Sequence, residues 1–328
     1  MTAPVPGLSF GSPALEAEVR AGLIAVEAML RESVKSDYPF VTETSRHLVE
    51  AGGKRFRPLL VLLAAQFADP GAPGVVPAAV VVELTHLATL YHDDVMDEAE
   101  LRRGAASANS RWGNTVAILT GDFLFAKASD VLADLGTECV RIQARTFERL
   151  VAGQIRETTG PENGTDAIEH YLRVLGDKTG SLIGTSCRFG AMLSGADEST
   201  TEVLTRYGER FGVAFQLSDD LLDVASTSAQ SGKTPGTDLR EGVATLPVLY
   251  ARRDGSAELT EALAGDLGDD ARLGYALEML RSSEAMQDAR ALLAHWADDA
   301  RHTLDPLPAG APKEALQALC DYVVARSS

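Results

Sequence analysis

Apolar residues recur at spacings of three and four along most of this chain, the period of helices with one buried face. Leu15, Val19, Leu23, Val26 and Leu30 set the pattern between Pro13 and Ser36. A second helix is predicted over Thr42–Ala51, stopped by Gly52-Gly53. After GGKRFRP comes the apolar run Leu59–Phe67, a Pro/Gly loop at Asp69–Pro73, and a long helix from Val75 to about Glu98. Beyond a loop at Arg103–Ala106, helices are predicted over Asn114–Leu135 and Thr137–Glu157, with a turn at Pro161–Gly164. Further helices cover Asp166–Gly176, Gly180–Leu193 and Glu198–Val224; a Ser/Gly/Pro loop spans Ala225–Gly236, and shorter helices fill Thr245–Ser328. Strand signals are nearly absent, since no Asn-Gly turn joins alternating β-branched runs. No repeat and no low-complexity linker divides the chain. The expected fold is all-α: a single large helical bundle over 1–328, of the kind that builds its sites between facing helices.

Composition narrows the function. A hydrophobic content of 45% is ample for a core, and a net charge of −17 with pI near 4.8 argues against a nucleic-acid surface. The acidity reads as solubility. Cys139, Cys187 and Cys320 lie far apart without CxxC spacing, which excludes a zinc knuckle and points to a reducing, cytoplasmic setting. The N-terminus shows no secretory pattern, and no uninterrupted apolar run reaches the roughly 20 residues of a spanning helix. A peripheral membrane contact stays open.

The chemistry concentrates in ELTHLATLYHDDVMDEAELRRG, Glu83–Gly104. Residues four apart share a helix face, so Asp93 and Asp97 stand side by side and repel unless a cation or solvent intervenes. Carboxylate oxygens from one or two residues, completed by water and phosphate, suit Mg²⁺. Arg102 and Arg103 just beyond suggest that an anion is expected too. FQLSDDLLD, Phe215–Asp223, repeats the arrangement with Asp219, Asp220 and Asp223. The doublets Asp269-Asp270 and Asp298-Asp299 act as controls, because they lead to Leu273 and His302 at the fourth position. Asp266 and Asp270 have the spacing, but Gly265 and Gly268 weaken a helix there. A solvated acidic helix end accounts for either cluster alone; the two together favour a facing pair of Mg²⁺ clamps.

Basic residues supply the other half. Lys54 and Arg57 in GGKRFRP sit at a glycine turn and a helix start, which favours phosphate. Arg55 between them reads as an ordinary exposed loop charge. His86 lies two turns before Asp93 on the same face. Lys178-Thr179 precedes Gly180, and Lys233 sits in GKTPGTD; with six lysines in the chain, three beside glycine turns or loops support a diphosphate pocket. Metal ions and cations stabilise a departing diphosphate, so the pattern suits ionisation of an allylic diphosphate.

GGKRFRP, HDDVMDEAELRRG, GDKTGSL, FQLSDDLLD and GKTPGTDLREGVATLP, in that order and spacing, make the chain resemble the trans-isoprenyl diphosphate synthase (polyprenyl synthetase) family from Gly52 to Pro247. The resemblance implies an all-helical isoprenoid synthase fold around a central apolar tunnel, usually homodimeric, with Mg²⁺ as cofactor and Mn²⁺ able to substitute. It implies that Lys54, Arg57, His86 and Arg103 hold isopentenyl diphosphate, and that Arg102, Lys178, Thr179, Gln216 and Lys233 hold the allylic diphosphate. Asp93, Asp97, Asp219 and Asp223 form the implied metal set, the first three as direct ligands; Asp94, Asp220 and Asp223 would act through water or hydrogen bonds. The implied reaction is ionisation to an allylic cation, attack by the isopentenyl double bond, and proton loss to diphosphate, with water excluded. One departure stands out: Val243 occupies a position where the family commonly has lysine, which leaves more to Lys233.

Product length would be set below the first aspartate cluster. Ala88 lies roughly 7.5 Å below Asp93 along a helix axis. Ala88 and Thr85 are small and Val81, a turn further, is moderate, where short-chain members often carry an aromatic residue. Small residues can equally serve close helix packing. ATLYHDDVMD resembles the medium- and long-chain branch, and the expected product is an all-trans polyprenyl diphosphate, heptaprenyl to decaprenyl, for quinone side chains. The alternatives are a geranylgeranyl or farnesyl diphosphate synthase, a class I terpene cyclase, and a non-catalytic subunit of a heteromeric synthase.

Overall fold

A computed structural model describes residues 10–225 and 236–326. Its helices are α1 (Pro13–Ser33), α2 (Pro39–Glu50), α3 (Phe56–Ala65), α4 (Val75–Met96), α5 (Ala108–Trp112), α6 (Asn114–Leu135) and α7 (Thr137–Thr159). They continue with α8 (Ala167–Leu175), α9 (Ser181–Leu193), α10 (Glu198–Ala225), α11 (Thr237–Arg240) and α12 (Leu246–Asp254). The last four are α13 (Ala257–Leu263), α14 (Asp270–Arg281), α15 (Glu284–Thr303) and α16 (Ala311–Ala325). The expected all-α fold is therefore what the chain adopts. The strand content of the described residues is one two-residue hairpin, Leu101–Arg102 paired with Ala105–Ala106. Sequence pattern alone gives only a loop there. Arg103 (φ 55°) and Gly104 (φ 78°) both take the positive φ that a two-residue hairpin turn requires.

The chain clusters into two compact units, each assembled from separated stretches. The first comprises 1–147, 182–205 and 307–315. Its centre is α4, which packs on α6, α3 and α1. By length and hydropathy α4 could cross a membrane, but 67% of its most apolar window is buried inside the protein. Gly121 of α6 allows the close approach: a Cβ there would stand 2.4 Å from His92 Nε2 and 3.1 Å from the Ala88 carbonyl. Every residue of α3 except Arg57 is buried, as expected of an apolar run. The buried Tyr91 hydroxyl donates to Thr44 O and accepts from Leu48 N, tying α2 to α4.

The second unit comprises 148–181, 206–306 and 316–328. Here α12 packs on α8 and α15, and α13 on α14. The last helix docks on α10 through Tyr207 Oη→Leu316 O (2.8 Å) and Ser218 Oγ→Val323 O (2.6 Å). The predicted gap between Gly176 and Gly180 is not a break. Gly176–Gly180 forms a π-turn that carries α8 into α9 without leaving the helix, a widening common at functional positions.

Candidate active site

The first unit gathers GGKRFRP and HDDVMDEAELRRG. Gly52 (φ 85°), Gly53 (φ 148°) and Arg55 (φ 46°) turn the chain sharply from α2 into α3. Arg55 corrects the expectation drawn from sequence. Far from being an exposed loop charge, it is 7% exposed and pairs with Glu27 of α1 and Glu83 of α4, the latter at 2.9 Å. It also donates to Val49 O at 2.8 Å, satisfying a carbonyl at the end of α2. Burial opposes its charge, yet the two carboxylates hold its pKa above the usual arginine value. Glu83, 2% exposed, needs such a partner.

Lys54 is exposed beside this turn and Arg57 is half-buried on the first turn of α3. Arg103 reaches beneath the same turn, donating to Leu48 O (3.1 Å) and Gly52 O. The positive φ of Gly53 favours glycine there, and a Cβ would lie 2.9 Å from the Arg103 guanidinium carbon, so any other residue would displace that side chain. Burial, with Arg55 and Arg102 nearby, pulls the Arg103 pKa down against the pull of Glu83. His86 is driven well below the ordinary histidine range by burial and then by Arg57, Arg103, Arg102 and Arg55. The imidazole is thus held neutral beside four guanidinium groups, of which Arg55 and Arg102 are paired with carboxylates.

The first aspartate cluster lies at the end of α4. Asp93 is in the last turn, whereas Asp97 is the C-cap, its N–H donating to Asp93 O at 2.8 Å. The one-turn spacing survives although the helix ends two residues before the predicted Glu98. Asp94 is fully buried with Arg102 Nε 2.5 Å from its Oδ1. Its Oδ2 is buried and unpartnered among the described residues. Burial raises the Asp94 pKa, Arg102 lowers it, and Asp97 raises it again.

The second unit holds the second cluster, entirely inside α10. Asp220 accepts from Gln216 Nε2 (2.9 Å) and from the Tyr171 hydroxyl, and Thr179 Oγ1 donates to Gln216 Oε1 at 3.2 Å. A continuous chain of hydrogen bonds thus runs from the π-turn to the aspartates. Burial, then Asp238 and Asp219, push the Asp220 carboxyl up to about 8, against the hydrogen bonds from Tyr171 and Gln216. Asp223 accepts from the backbone N–H groups of Thr237 (3.2 Å) and Asp238 (3.1 Å), capping α11. Lys178 Nζ meets Glu157 Oε2 at 2.5 Å, and Asp177 anchors the π-turn by accepting from Arg156 Nη1 at 2.6 Å. Lys233 lies outside the described residues. Val243 is 42% exposed.

Among the described residues no three acid, imidazole or thiol groups converge into a ready-made metal cage. The donors nonetheless fit a hard divalent cation. They are all carboxylate oxygens; Asp94 has a buried unpartnered oxygen and Asp220 is crowded by Asp219 and Asp238. Such a cation would take one or two oxygens per cluster and complete its shell with water and phosphate. Sequence reasoning missed Arg55 and Tyr171. The partners of Arg55 are 28 residues away on both sides, and no local pattern reveals them. Tyr171 meets Asp220 from 49 residues away, which no local pattern reveals either.

Comparison with known proteins accords with this geometry. Residues 38–280 match the polyprenyl synthetase family model. The chain is 50% identical over 326 residues to the nonaprenyl diphosphate synthase of Mycobacterium tuberculosis, covering 98% of this chain and 97% of the relative. A geranylgeranyl pyrophosphate synthase from Corynebacterium glutamicum, complexed with calcium and isoprenyl diphosphate, superposes with TM-score 0.87 at 46% identity, covering 97% of this chain and 99% of its own. A decaprenyl diphosphate synthase from Rhodobacter capsulatus gives 0.86 at 36% identity, over 96% and 99%. With two acidic clusters and likeness over nearly its whole length, the chain belongs to the polyprenyl synthetase family of prenyltransferases.

Proposed function

We propose that this protein condenses isopentenyl diphosphate repeatedly, head to tail, onto an allylic diphosphate, building an all-trans polyprenyl diphosphate of medium to long chain. The observation that carries this reading is the pair of aspartate clusters, Asp93/Asp94/Asp97 with Arg102 on Asp94, and Asp219/Asp220/Asp223 with Arg326 on Asp219. Lys54, Arg57, His86 and Arg103 suit the isopentenyl diphosphate, the neutral His86 offering a hydrogen bond without adding charge. Arg102, Lys178, Thr179, Gln216 and Lys233 suit the allylic diphosphate. Mg²⁺ held by Asp93, Asp97, Asp219 and Asp223 would neutralise the departing diphosphate. The Thr179–Gln216–Asp220–Tyr171 chain holds the second cluster in register with the π-turn. The whole chain acts as one catalytic domain in a cytoplasmic homodimer; Ile118 (42% exposed) and Leu119 (60% exposed) on α6 are apolar surface that a second copy could cover.

Chain length rests on α4. Ala88, Thr85 and Val81 are all buried at 0–1% exposure, and all three are small or moderate in size. The Thr85 hydroxyl donates to Val81 O (2.9 Å) and accepts from Gln143 Nε2 (2.8 Å). The nonaprenyl and decaprenyl relatives support the longer product, whereas the Corynebacterium likeness supports a geranylgeranyl product as second reading.

Incubation with an allylic diphosphate alone, then with isopentenyl diphosphate added, tests the reaction class. The expected result is no hydrocarbon in the first case and metal-dependent chain elongation in the second. Hydrocarbon release without isopentenyl diphosphate would identify a cyclase. Lack of activity in the purified chain, restored by a second protein, would identify a subunit of a heteromeric synthase.

A further inference from the structure

Arg326 follows the last turn of α16 and brings its guanidinium onto one face of α10, 108 residues away in sequence from Ser218. The side chain is 10% exposed. Its Nε donates to Ser218 Oγ at 2.8 Å, its Nη2 donates to Phe215 O at 2.9 Å, and its Nη1 forms an ion pair with Asp219 Oδ1 at 2.8 Å, out of hydrogen-bond alignment. The guanidinium plane stands 4.6 Å over the Phe215 ring centroid and 5.7 Å from that of Tyr322. The seat is firm, because Ser218 also donates to Val323 O and fixes α16 against α10. A planar five-donor cation on an aromatic face, with an oxygen close to each of its three nitrogens, is a built position and not a wandering surface charge. Asp219 is 42% exposed, so its carboxylate remains reachable while the arginine holds it.

We propose that Arg326 is the resident counter-cation of the second aspartate cluster: in the metal-free protein it holds Asp219, and a divalent cation binds there against its charge. Asp219 and Asp238 crowd the buried Asp220, whose raised pKa favours its neutral form, while Asp223 is engaged by the backbone N–H groups of Thr237 and Asp238. Arg326 places its positive charge against the Asp219 carboxylate. The same charge raises the metal concentration needed to load this cluster, so it fills preferentially when an anionic diphosphate offsets the added cation. Arg326 is in this account a positioning residue, acting through Asp219.

This inference rests on the assignment of Asp219 as a metal ligand, and the test separates the two. Asp93→Asn/Asp97→Asn silences the first cluster in the full chain, and Mn²⁺ binding without substrate is measured by titration calorimetry. Removing a positive charge next to the ligand should tighten Mn²⁺ about tenfold in Arg326→Gln. Arg326→Met, which keeps the aliphatic stem over Phe215, should do the same, and far-UV circular dichroism shows which variants fold. Equal or weaker Mn²⁺ binding in a folded variant overturns the counter-cation role while leaving the metal assignment standing. No Mn²⁺ binding with or without Arg326 overturns the Asp219 assignment and the inference together.

Discussion

Charged side chains in this protein divide by where their partners come from. Arg55 sits between two basic neighbours in GGKRFRP, and it turns inward to pair with Glu27 and Glu83. Removing one partner of a buried pair strands the other charge, so Arg55→Ala should lower stability by about 3 kcal/mol or more, read as the urea midpoint. An unchanged midpoint would mean that the pair contributes nothing. His86 gives a pH-dependent counterpart. Its folded pKa lies well below the ordinary value near 6.5, so below that pH the unfolded chain binds the extra proton and stability falls. His86→Gln should flatten the pH dependence of the unfolding midpoint below about pH 6.5, and an unaltered slope would contradict the burial argument. Neither residue's environment was readable locally. His86 shares a helix face with Asp93 in sequence, but the guanidinium groups that keep it neutral come from two separate motifs.

Among the elements, α4 does two jobs with one helix. Its C-terminal turn presents aspartates, and its middle is buried on nearly every side. The continuous apolar pattern made the helix legible from sequence, as did the aspartate spacing. The cap at Asp97 was not legible, because the helix is ended by Glu98 at φ 48°, an unusual conformation for glutamate, with Ala99 N–H donating back to Asp94 O at 3.0 Å. GDKTG misled in the other direction: glycines at both ends suggest a break, and the helix instead widens into a π-turn. If α4 lines the path of the growing chain, Ala88→Phe should shorten the product by one or more isoprene units, measured by chromatography of the dephosphorylated alcohols. A product of unchanged length from a folded variant would remove Ala88 from that path. Gly121 bears on the experiment. The α4–α6 approach there is tight enough that a Cβ would meet the Ala88 carbonyl, so the variant's thermal midpoint should be checked alongside.

At the level of the whole molecule, two compact units each hold one acidic cluster, with Arg102 on Asp94 in the first and Arg326 on Asp219 in the second. The all-α class was legible because nearly every stretch carries the helical period and turn residues mark the ends. The two aspartate clusters were legible because the sequence holds its own controls: Asp266 accepts from Gly268 N in a turn and Asp269 caps α14, neither resembling the paired clusters. What the sequence could not reveal is the support beneath them. Tyr171 on Asp220 and Arg326 on Asp219 join distant parts of the chain, and only folding brings them together. The central claim is repeated condensation to a medium or long chain by this protein alone. The purified chain should therefore be incubated with labelled isopentenyl diphosphate, Mg²⁺ and each of several allylic primers, and the product lengths determined. Metal-dependent products centred in the heptaprenyl to decaprenyl range are predicted; products that stop at farnesyl or geranylgeranyl length from every primer would contradict the account.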